Sequence, residues 1–183
     1  MKPVSNWYTP EWLFNRLSLA YGPFDLDVAA APENAKCERY FDEQTNGLEQ
    51  PWTGRVWCNP PYRDLIKWVR KAREETMNGN AEKVVMLLPA QTSTAWWHDY
   101  ALKFANIVWI RGKVQFGGCK DRAIMPSVVL IFTPEIQEVP VANRLPGTRD
   151  SGCQCQVFEP NGAEDRILKP DIDSIQREGK TQQ

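Results

Sequence analysis

Histidine and cysteine are scarce in this sequence. Its 183 residues include one histidine, His98, and five scattered cysteines that form no Cys-x-x-Cys pair. Structural zinc normally takes four such ligands, and a disulfide framework needs an even set of cysteines. The triplet Cys153-Gln154-Cys155 offers only two thiols. We therefore expect no bound metal and no disulfide framework, with the thiols reduced as in a cytosolic protein.

Long apolar runs and phosphate-binding loops are also missing. No stretch approaches the roughly 18 apolar residues of a membrane-spanning helix, and the first residues lack the pattern of a secretory signal. Neither a Gly-x-Gly-x-x-Gly fingerprint nor a Walker loop occurs, so a conventional nucleotide would lack its usual backbone cradle. We expect a soluble, cytoplasmic protein without a membrane partner, whose ligand needs no phosphate loop.

No sign of charge dominates the chain, but charge and aromatic residues are unevenly distributed. The 22 basic and 23 acidic residues include six basic and nine acidic ones from residue 135 onward, a net charge of −3 that leaves +2 for residues 1–134. All eight tryptophans precede Pro134, and Phe158 is the only aromatic residue after it. We expect a single small domain over 1–134 and a polar, flexible C-terminal extension over 135–183.

Strand and helix patterns alternate within the first 134 residues. Short, mainly apolar runs predict strands at 24–30, 54–58, 83–89, 106–112 and 127–132. Thr9-Pro10 and Thr94 are suitable helix starts. Between the second and third strands, apolar residues at helical spacing predict a helix that buries Tyr62, Leu65, Ile66, Val69 and Ala72. The alternation favours an α/β fold, whose ligands bind beyond the carboxyl ends of the strands.

The second predicted strand ends in the rigid segment Asn59-Pro60-Pro61-Tyr62. Proline fixes φ and lacks an N–H group, and it restricts the preceding residue to extended conformations. The segment therefore leaves the sheet as a stiff arm. Such an arm holds the Asn59 amide, the Pro60 carbonyl and the Tyr62 ring in fixed relative positions, which suits a small planar ligand.

The arm and three other segments resemble a known family. Asn59-Pro60-Pro61-Tyr62 is similar to the catalytic motif of S-adenosylmethionine-dependent amino-methyltransferases, whose common form is Asp/Asn/Ser-Pro-Pro-Tyr/Phe. More specifically, the segments at 7–17, 24–41, 46–62 and 87–100, in that order, resemble phage-type DNA N6-adenine methyltransferases. The resemblance implies a minimal Rossmann-like methyltransferase sheet with helices on both faces, S-adenosylmethionine as cofactor and double-stranded DNA as partner, with no obligate protein partner.

The resemblance also assigns roles to particular residues. It implies that Asn59, Pro60, Pro61 and Tyr62 act on a flipped adenine, Asn59 and Pro60 by accepting hydrogen bonds from its amino group and Tyr62 by stacking. The methionine end of the cofactor would contact Trp7, Tyr8, Thr9 and Pro10, with Asp27 in the same part of the pocket. Asn46 would meet the cofactor adenine. The glycine-rich loop of many methyltransferases is replaced here by "DVAAAPEN" at 27–34.

Two basic clusters are candidates for contact with DNA phosphates. We favour the one that includes Lys113, Lys120 and Arg122, because Gly112, Gly117 and Gly118 make its segment suitable for a loop over the base. The other cluster runs from Arg63 to Arg73, and it is consistent with the solvated face of a helix.

Several alternatives remain open from the sequence. Asp27 could cap a helix, Tyr62 could be a core aromatic residue, and His98 fits a helix surface better than a catalytic base. The Asn-Pro-Pro-Tyr arrangement also serves methyltransferases that act on a protein glutamine amide. A third alternative is a phage-derived relative that binds cofactor or nucleic acid without turnover.

Overall fold

One mixed sheet organises the protein. The computed structural model describes residues 8–117, 125–135 and 156–158, and within them six strands occur: β1 (Leu26–Asp27), β2 (Gly54–Cys58), β3 (Ala81–Pro89), β4 (Asn106–Ile110), β5 (Ser127–Phe132) and β6 (Gln156–Phe158). Their order across the sheet is β1-β2-β3-β5-β4-β6. The first three strands are parallel, β5 is antiparallel to β3 and β4, and β6 is parallel to β4.

Helices cover both faces of this sheet. They are α1 (Glu11–Tyr21), α2 (Leu65–Met77) and a π-helical turn (Trp97–Ala101) that continues into α3 (Leu102–Phe104). The α1 residues Leu13 and Leu17 pack with Val85 and Leu87 of β3. On the opposite face, the α2 residues pack with Val84, Met86 and Leu88. Alternate residues of β3 thus enter two separate cores, as the alternating side-chain directions of a strand require. This arrangement confirms the α/β prediction with helices on both faces.

Some predicted element boundaries are confirmed and others are wrong. The predictions for β2 and β5 match the observed strands residue for residue. The first strand was predicted over 24–30 but comprises only Leu26–Asp27. Helix α2 begins at Leu65, so Tyr62 lies before it, and Ile66, predicted to face inward, is 44% exposed. The apolar spacing was correct for Leu65, Val69 and Ala72, which are buried.

The N-terminal cap of α1 and the last strand also differ from expectation. Thr9 was predicted as the N-cap, but Pro10 occupies that position and no side chain caps the helix. Strand β6 was not predicted, and it lies in the segment expected to be an extension. In the described parts of the chain, no helix is long and apolar enough to cross a membrane.

Candidate functional site

The carboxyl ends of β1 and β2 open into a large cavity. Asp27 pairs with Trp57 across these parallel strands, so Asn59, two residues further on, emerges at the same edge as Asp27. The cavity has a volume of about 820 Å³, within the range of 300–1,000 Å³ that is usual for small-molecule sites. This is where an α/β sheet is expected to bind its ligand.

Most of the predicted site residues line this cavity together. They are Tyr8, Thr9, Asp27, Asn46, Asn59, Pro60, Pro61 and Tyr62. Pro10 does not reach it, and instead lines a smaller neighbouring cavity of about 280 Å³. Trp7 lies outside the described residues.

The stiff arm holds the Asn59 amide against the N-terminal segment. Pro60 is buried and Asn59 half-buried, and the Asn59 Nδ2 atom donates a hydrogen bond to Thr9 Oγ1 at 3.1 Å. Thr9 is itself only 5% exposed. Because the amide nitrogen is bound to Thr9, the orientation of the amide is fixed and Oδ1 lies on its other side. The Asn59 Oδ1 atom is itself buried.

Asp27 lies at the base of the cavity as a buried carboxylate. It is 3% exposed, and its two oxygens accept hydrogen bonds from the backbone N–H groups of Ala29 (3.3 Å) and Lys36 (3.1 Å). Burial raises the pKa of the Asp27 carboxyl to about 6, against the opposing effects of these two hydrogen bonds and of the Lys36 charge. No helix begins in the described segment 28–36, so Asp27 holds a loop rather than capping a helix.

Lys36 is a cavity residue that no sequence pattern indicated. It lines both cavities, and its side chain is only 10% exposed. Its ammonium group forms an ion pair with Glu11, at the start of α1, and lies 5.7 Å from the centre of the Phe14 ring. A single lysine in a loop carries no periodic or spacing signal, which explains why sequence reasoning did not identify it.

Asn46 is held at the cavity wall by a tight loop. Its backbone has a positive φ of 50°, and its side-chain Nδ2 donates to Glu49 at 2.8 Å. The next residue, Gly47, packs so closely on Val28, the residue after β1, that an added Cβ would lie 2.1 Å from the Val28 carbonyl oxygen. Only glycine fits this contact, so Gly47 fixes the position of Asn46 at the cavity.

Tyr62, the last residue of the arm, and two basic residues form another part of the cavity wall. Tyr62 is half-buried and packs against the core that contains α2, and burial raises the pKa of its hydroxyl. Arg63 and Lys67 line the same cavity, both exposed, with Lys67 Nζ 3.4 Å from Asp64. The cluster between Arg63 and Arg73 is thus more than the solvated helix face that the sequence suggested, because its first members border the cavity.

The favoured basic cluster is described only in part. Lys113 is exposed and follows Gly112, whose φ is 81°, whereas Lys120 and Arg122 lie outside the described residues. Gly117 exchanges two backbone hydrogen bonds with Tyr8, of 2.8 and 3.2 Å. The segment that contains Lys113 therefore reaches the cavity wall at Tyr8.

The described residues contain no cluster of three or more His, Cys, Asp or Glu side chains suited to a metal ion. The charged groups at the cavity are the buried Asp27 carboxylate, the mostly buried Lys36 ammonium group, the basic residues Arg63 and Lys67, and three further acidic residues, Asp42, Glu43 and Asp64. Cys58, beneath the arm, is fully buried, and burial raises the pKa of its thiol well above the ordinary value. This thiol is therefore a core group and not a nucleophile.

Comparison with known proteins identifies relatives among phage enzymes. A DNA N-6-adenine-methyltransferase of Escherichia phage T1 is 41% identical over 106 residues, which cover 57% of this chain but only 44% of the phage T1 protein. Another of that name, from Haemophilus phage HP1, is 31% identical over 137 residues, or 70% of this chain and 79% of the HP1 protein. The model of the DNA N-6-adenine-methyltransferase (Dam) family matches residues 2–154. The chain therefore belongs to the DNA N-6-adenine-methyltransferase (Dam) family.

Proposed function

We propose that this protein transfers a methyl group from S-adenosylmethionine to the exocyclic amino group of an adenine in double-stranded DNA. The observation that carries the proposal is one cavity lined both by the Asn59 amide, which Thr9 orients, and by the buried carboxylate of Asp27. Family membership supports adenine as the target. The phage relatives favour action in the cytoplasm of a host cell.

The residues of the cavity fit the cofactor chemically. S-adenosylmethionine carries an ammonium group, a sulfonium centre and an adenine ring. Asp27 supplies a buried negative charge for the ammonium group of the amino-acid end, with Tyr8 and Thr9 also lining the cavity, and Asn46 supplies a polar contact for the adenine. When bound, the cofactor supplies a methyl group that is already activated for transfer.

Asn59 and Pro60 would prepare the target amino group. An exocyclic amino nitrogen is a poor nucleophile, because its lone pair is delocalised into the ring. If Asn59 Oδ1 and the Pro60 carbonyl each accept one of its two hydrogens, the nitrogen is favoured in a tetrahedral form with an available lone pair. Asn59 is a neutral acceptor and not a base, so its contribution is orientation and hydrogen bonding.

The target base has to leave the DNA stack to reach this position. Enzymes that modify bases extrude the nucleotide into a pocket and stack the base on aromatic side chains. Tyr62 directly follows the two prolines and is the aromatic residue of the arm. We propose that its ring supports the flipped adenine while Arg63 and Lys113 contact the phosphates.

The test is product analysis on DNA. The full chain is incubated with labelled S-adenosylmethionine and duplex DNA, or with a bacterial protein extract, and the DNA is digested to nucleosides for mass spectrometry. N6-methyladenine is the expected product. N4-methylcytosine would overturn the target assignment, label on protein would favour the glutamine-amide alternative, and no label in either would favour a relative without turnover.

Cofactor affinity is expected to fall at acidic pH because of Asp27. With the pKa of its carboxyl at about 6, Asp27 is mainly charged at pH 7 and mainly neutral at pH 5, and only the charged form attracts a cationic ligand. Affinity should be constant above about pH 7 and about tenfold weaker at pH 5. Calorimetric titration of the full chain with S-adenosylmethionine in chelating buffer, from pH 5 to pH 8, measures this profile.

The Asp27→Asn variant should bind the cofactor more weakly at pH 7 and lose the pH dependence. His98→Gln, which removes the only histidine of the chain, is the control and should keep the wild-type profile. If Asp27→Asn kept the wild-type dependence of cofactor affinity on pH, protonation of another group would cause that dependence.

DNA affinity is expected to depend on exposed basic residues at the cavity and on the segment that leads to it. Arg63→Glu and Lys113→Glu should each weaken binding at low salt and lower the slope of log K against log salt by about 1, because each removes a phosphate contact. The matched control is Arg70→Glu, since Arg70 pairs with Glu74 at 3.4 Å and does not line the cavity. Fluorescence anisotropy with labelled duplex measures the effect. Equal losses in all three variants would place the DNA elsewhere.

A further inference from the structure

Lys36 lies where the two cavities meet. The 820 Å³ and 280 Å³ cavities share four lining residues, which are Tyr8, Thr9, Asn34 and Lys36. Lys36 is the only cation among them. The large cavity therefore has a positively charged boundary toward α1, on the side where Glu11 lies.

Lys36 also contacts Asp27, through its backbone. The backbone N–H of Lys36 donates to Asp27 Oδ2 at 3.1 Å, while its side chain runs past the Phe14 ring to Glu11. The Asp27 carboxylate is thus hydrogen-bonded to the backbone of Lys36, and Asp27 and Lys36 both line the large cavity. The α-amino-acid end of a ligand carries the two complementary charges on a single carbon, so this pair of side chains matches it in sign and number.

The two partners of the Lys36–Glu11 ion pair differ in solvent exposure. The Lys36 side chain is 10% exposed, whereas that of Glu11 is 75% exposed. An ion pair with a largely exposed partner contributes little, because water screens the interaction and solvates the free carboxylate. A carboxylate that arrives inside the cavity is less hydrated and interacts more strongly with the same ammonium group.

We propose that Lys36 is a subsite for the α-carboxylate of an amino-acid-bearing nucleoside, and that Glu11 holds the lysine until the ligand carboxylate replaces it. The inference rests on the proposed function, since it concerns the methionine end of the cofactor. It adds a specificity element, because a ligand that lacks the carboxylate gains nothing from Lys36.

Two ligands that differ only in the carboxylate test the subsite. The full chain is titrated calorimetrically with S-adenosylmethionine and with decarboxylated S-adenosylmethionine. Lys36→Met keeps an unbranched apolar side chain next to Phe14 and removes the charge. This variant should bind S-adenosylmethionine about tenfold more weakly, with less than a twofold change for the decarboxylated ligand. Lys36→Arg, which keeps the charge, should retain most of the affinity for S-adenosylmethionine.

Glu11→Gln tests the exchange independently, and it serves if Lys36→Met does not fold. Removing the competing carboxylate should strengthen binding of S-adenosylmethionine about two- to threefold, without effect on the decarboxylated ligand. Equal changes for both ligands in the Lys36 and Glu11 variants would overturn the subsite and leave the proposed function intact. If neither ligand binds the wild-type protein, the proposed cofactor is wrong, and the subsite fails with it.

Discussion

Replacing Asn59 with alanine is expected to lower turnover by about 10²–10³-fold, the usual cost of deleting one preorganised hydrogen bond that acts in the transition state. The side chain lies at the shared cavity with its nitrogen bound to Thr9, so alanine removes the acceptor for one amino hydrogen of the base. Cofactor affinity should change little, because Asp27 and Tyr8 remain. Single-turnover methylation of duplex DNA, with parallel calorimetry of cofactor binding, separates the two effects.

Asn59→Asp is the matched control, and it should keep much of the activity. An aspartate oxygen can replace Oδ1 as acceptor, and the Thr9 hydroxyl can donate to the second oxygen instead of accepting from the amide. Thr9→Val should lower turnover less than Asn59→Ala does. Thr9→Ser, which keeps the hydroxyl that contacts Asn59, should retain the wild-type rate. A wild-type rate in Asn59→Ala would contradict the proposed role of the amide.

Replacing Tyr62 with alanine is expected to reduce kcat/KM for DNA through loss of base stacking. Stacking of a base on an aromatic ring contributes about 1–3 kcal/mol, which corresponds to a loss of about 5- to 150-fold. The arm should keep its shape, because Pro60 and Pro61 fix the backbone before Tyr62. Steady-state methylation kinetics at saturating cofactor give the value.

Tyr62→Phe and Tyr62→Trp separate stacking from the chemistry of the hydroxyl. Both retain a π-face and should retain much of the activity. If Tyr62→Phe lost as much activity as Tyr62→Ala, the phenolic oxygen and not the ring would be the functional group. Thermal unfolding of each variant distinguishes these effects from loss of the core contacts that Tyr62 makes next to α2.

The parts of the fold that the sequence predicts well depend on local patterns. β2 and β5 each contain a short apolar run, Val-Trp-Cys and Val-Val-Leu-Ile-Phe, and a proline lies within two residues of the carboxyl end of each run. β1 is shorter than predicted for a physical reason that the pattern does not contain. The Asp27 side chain accepts the N–H of Ala29, and this local bond takes the place of a ladder hydrogen bond.

The site was predictable where a motif marks it and not where distant segments meet. Asn59 to Tyr62 and Asp27 were predicted from the sequence to share a site, and they line one cavity. Thr9 was assigned a helix-capping role from its local sequence, but its hydroxyl binds Asn59, 50 residues away. Lys36 depends in the same way on Glu11, 25 residues distant. Side-chain partners so far apart in sequence are brought together by the fold, so the local spacing of residues does not predict them.

The pairing of Tyr8 with Gly117 bears on when the site is complete during synthesis. Their two backbone hydrogen bonds connect the beginning of the described chain with a segment that follows β4. Contacts between residues so far apart in sequence cannot form before both have left the ribosome. A nascent chain that ends before Gly117 already carries the whole Asn-Pro-Pro-Tyr arm, but nothing yet holds Tyr8 at the cavity wall through this pairing. This part of the cavity wall therefore forms late. A chain cut short upstream of Gly117 keeps the Asn-Pro-Pro-Tyr motif but lacks the pairing that holds Tyr8.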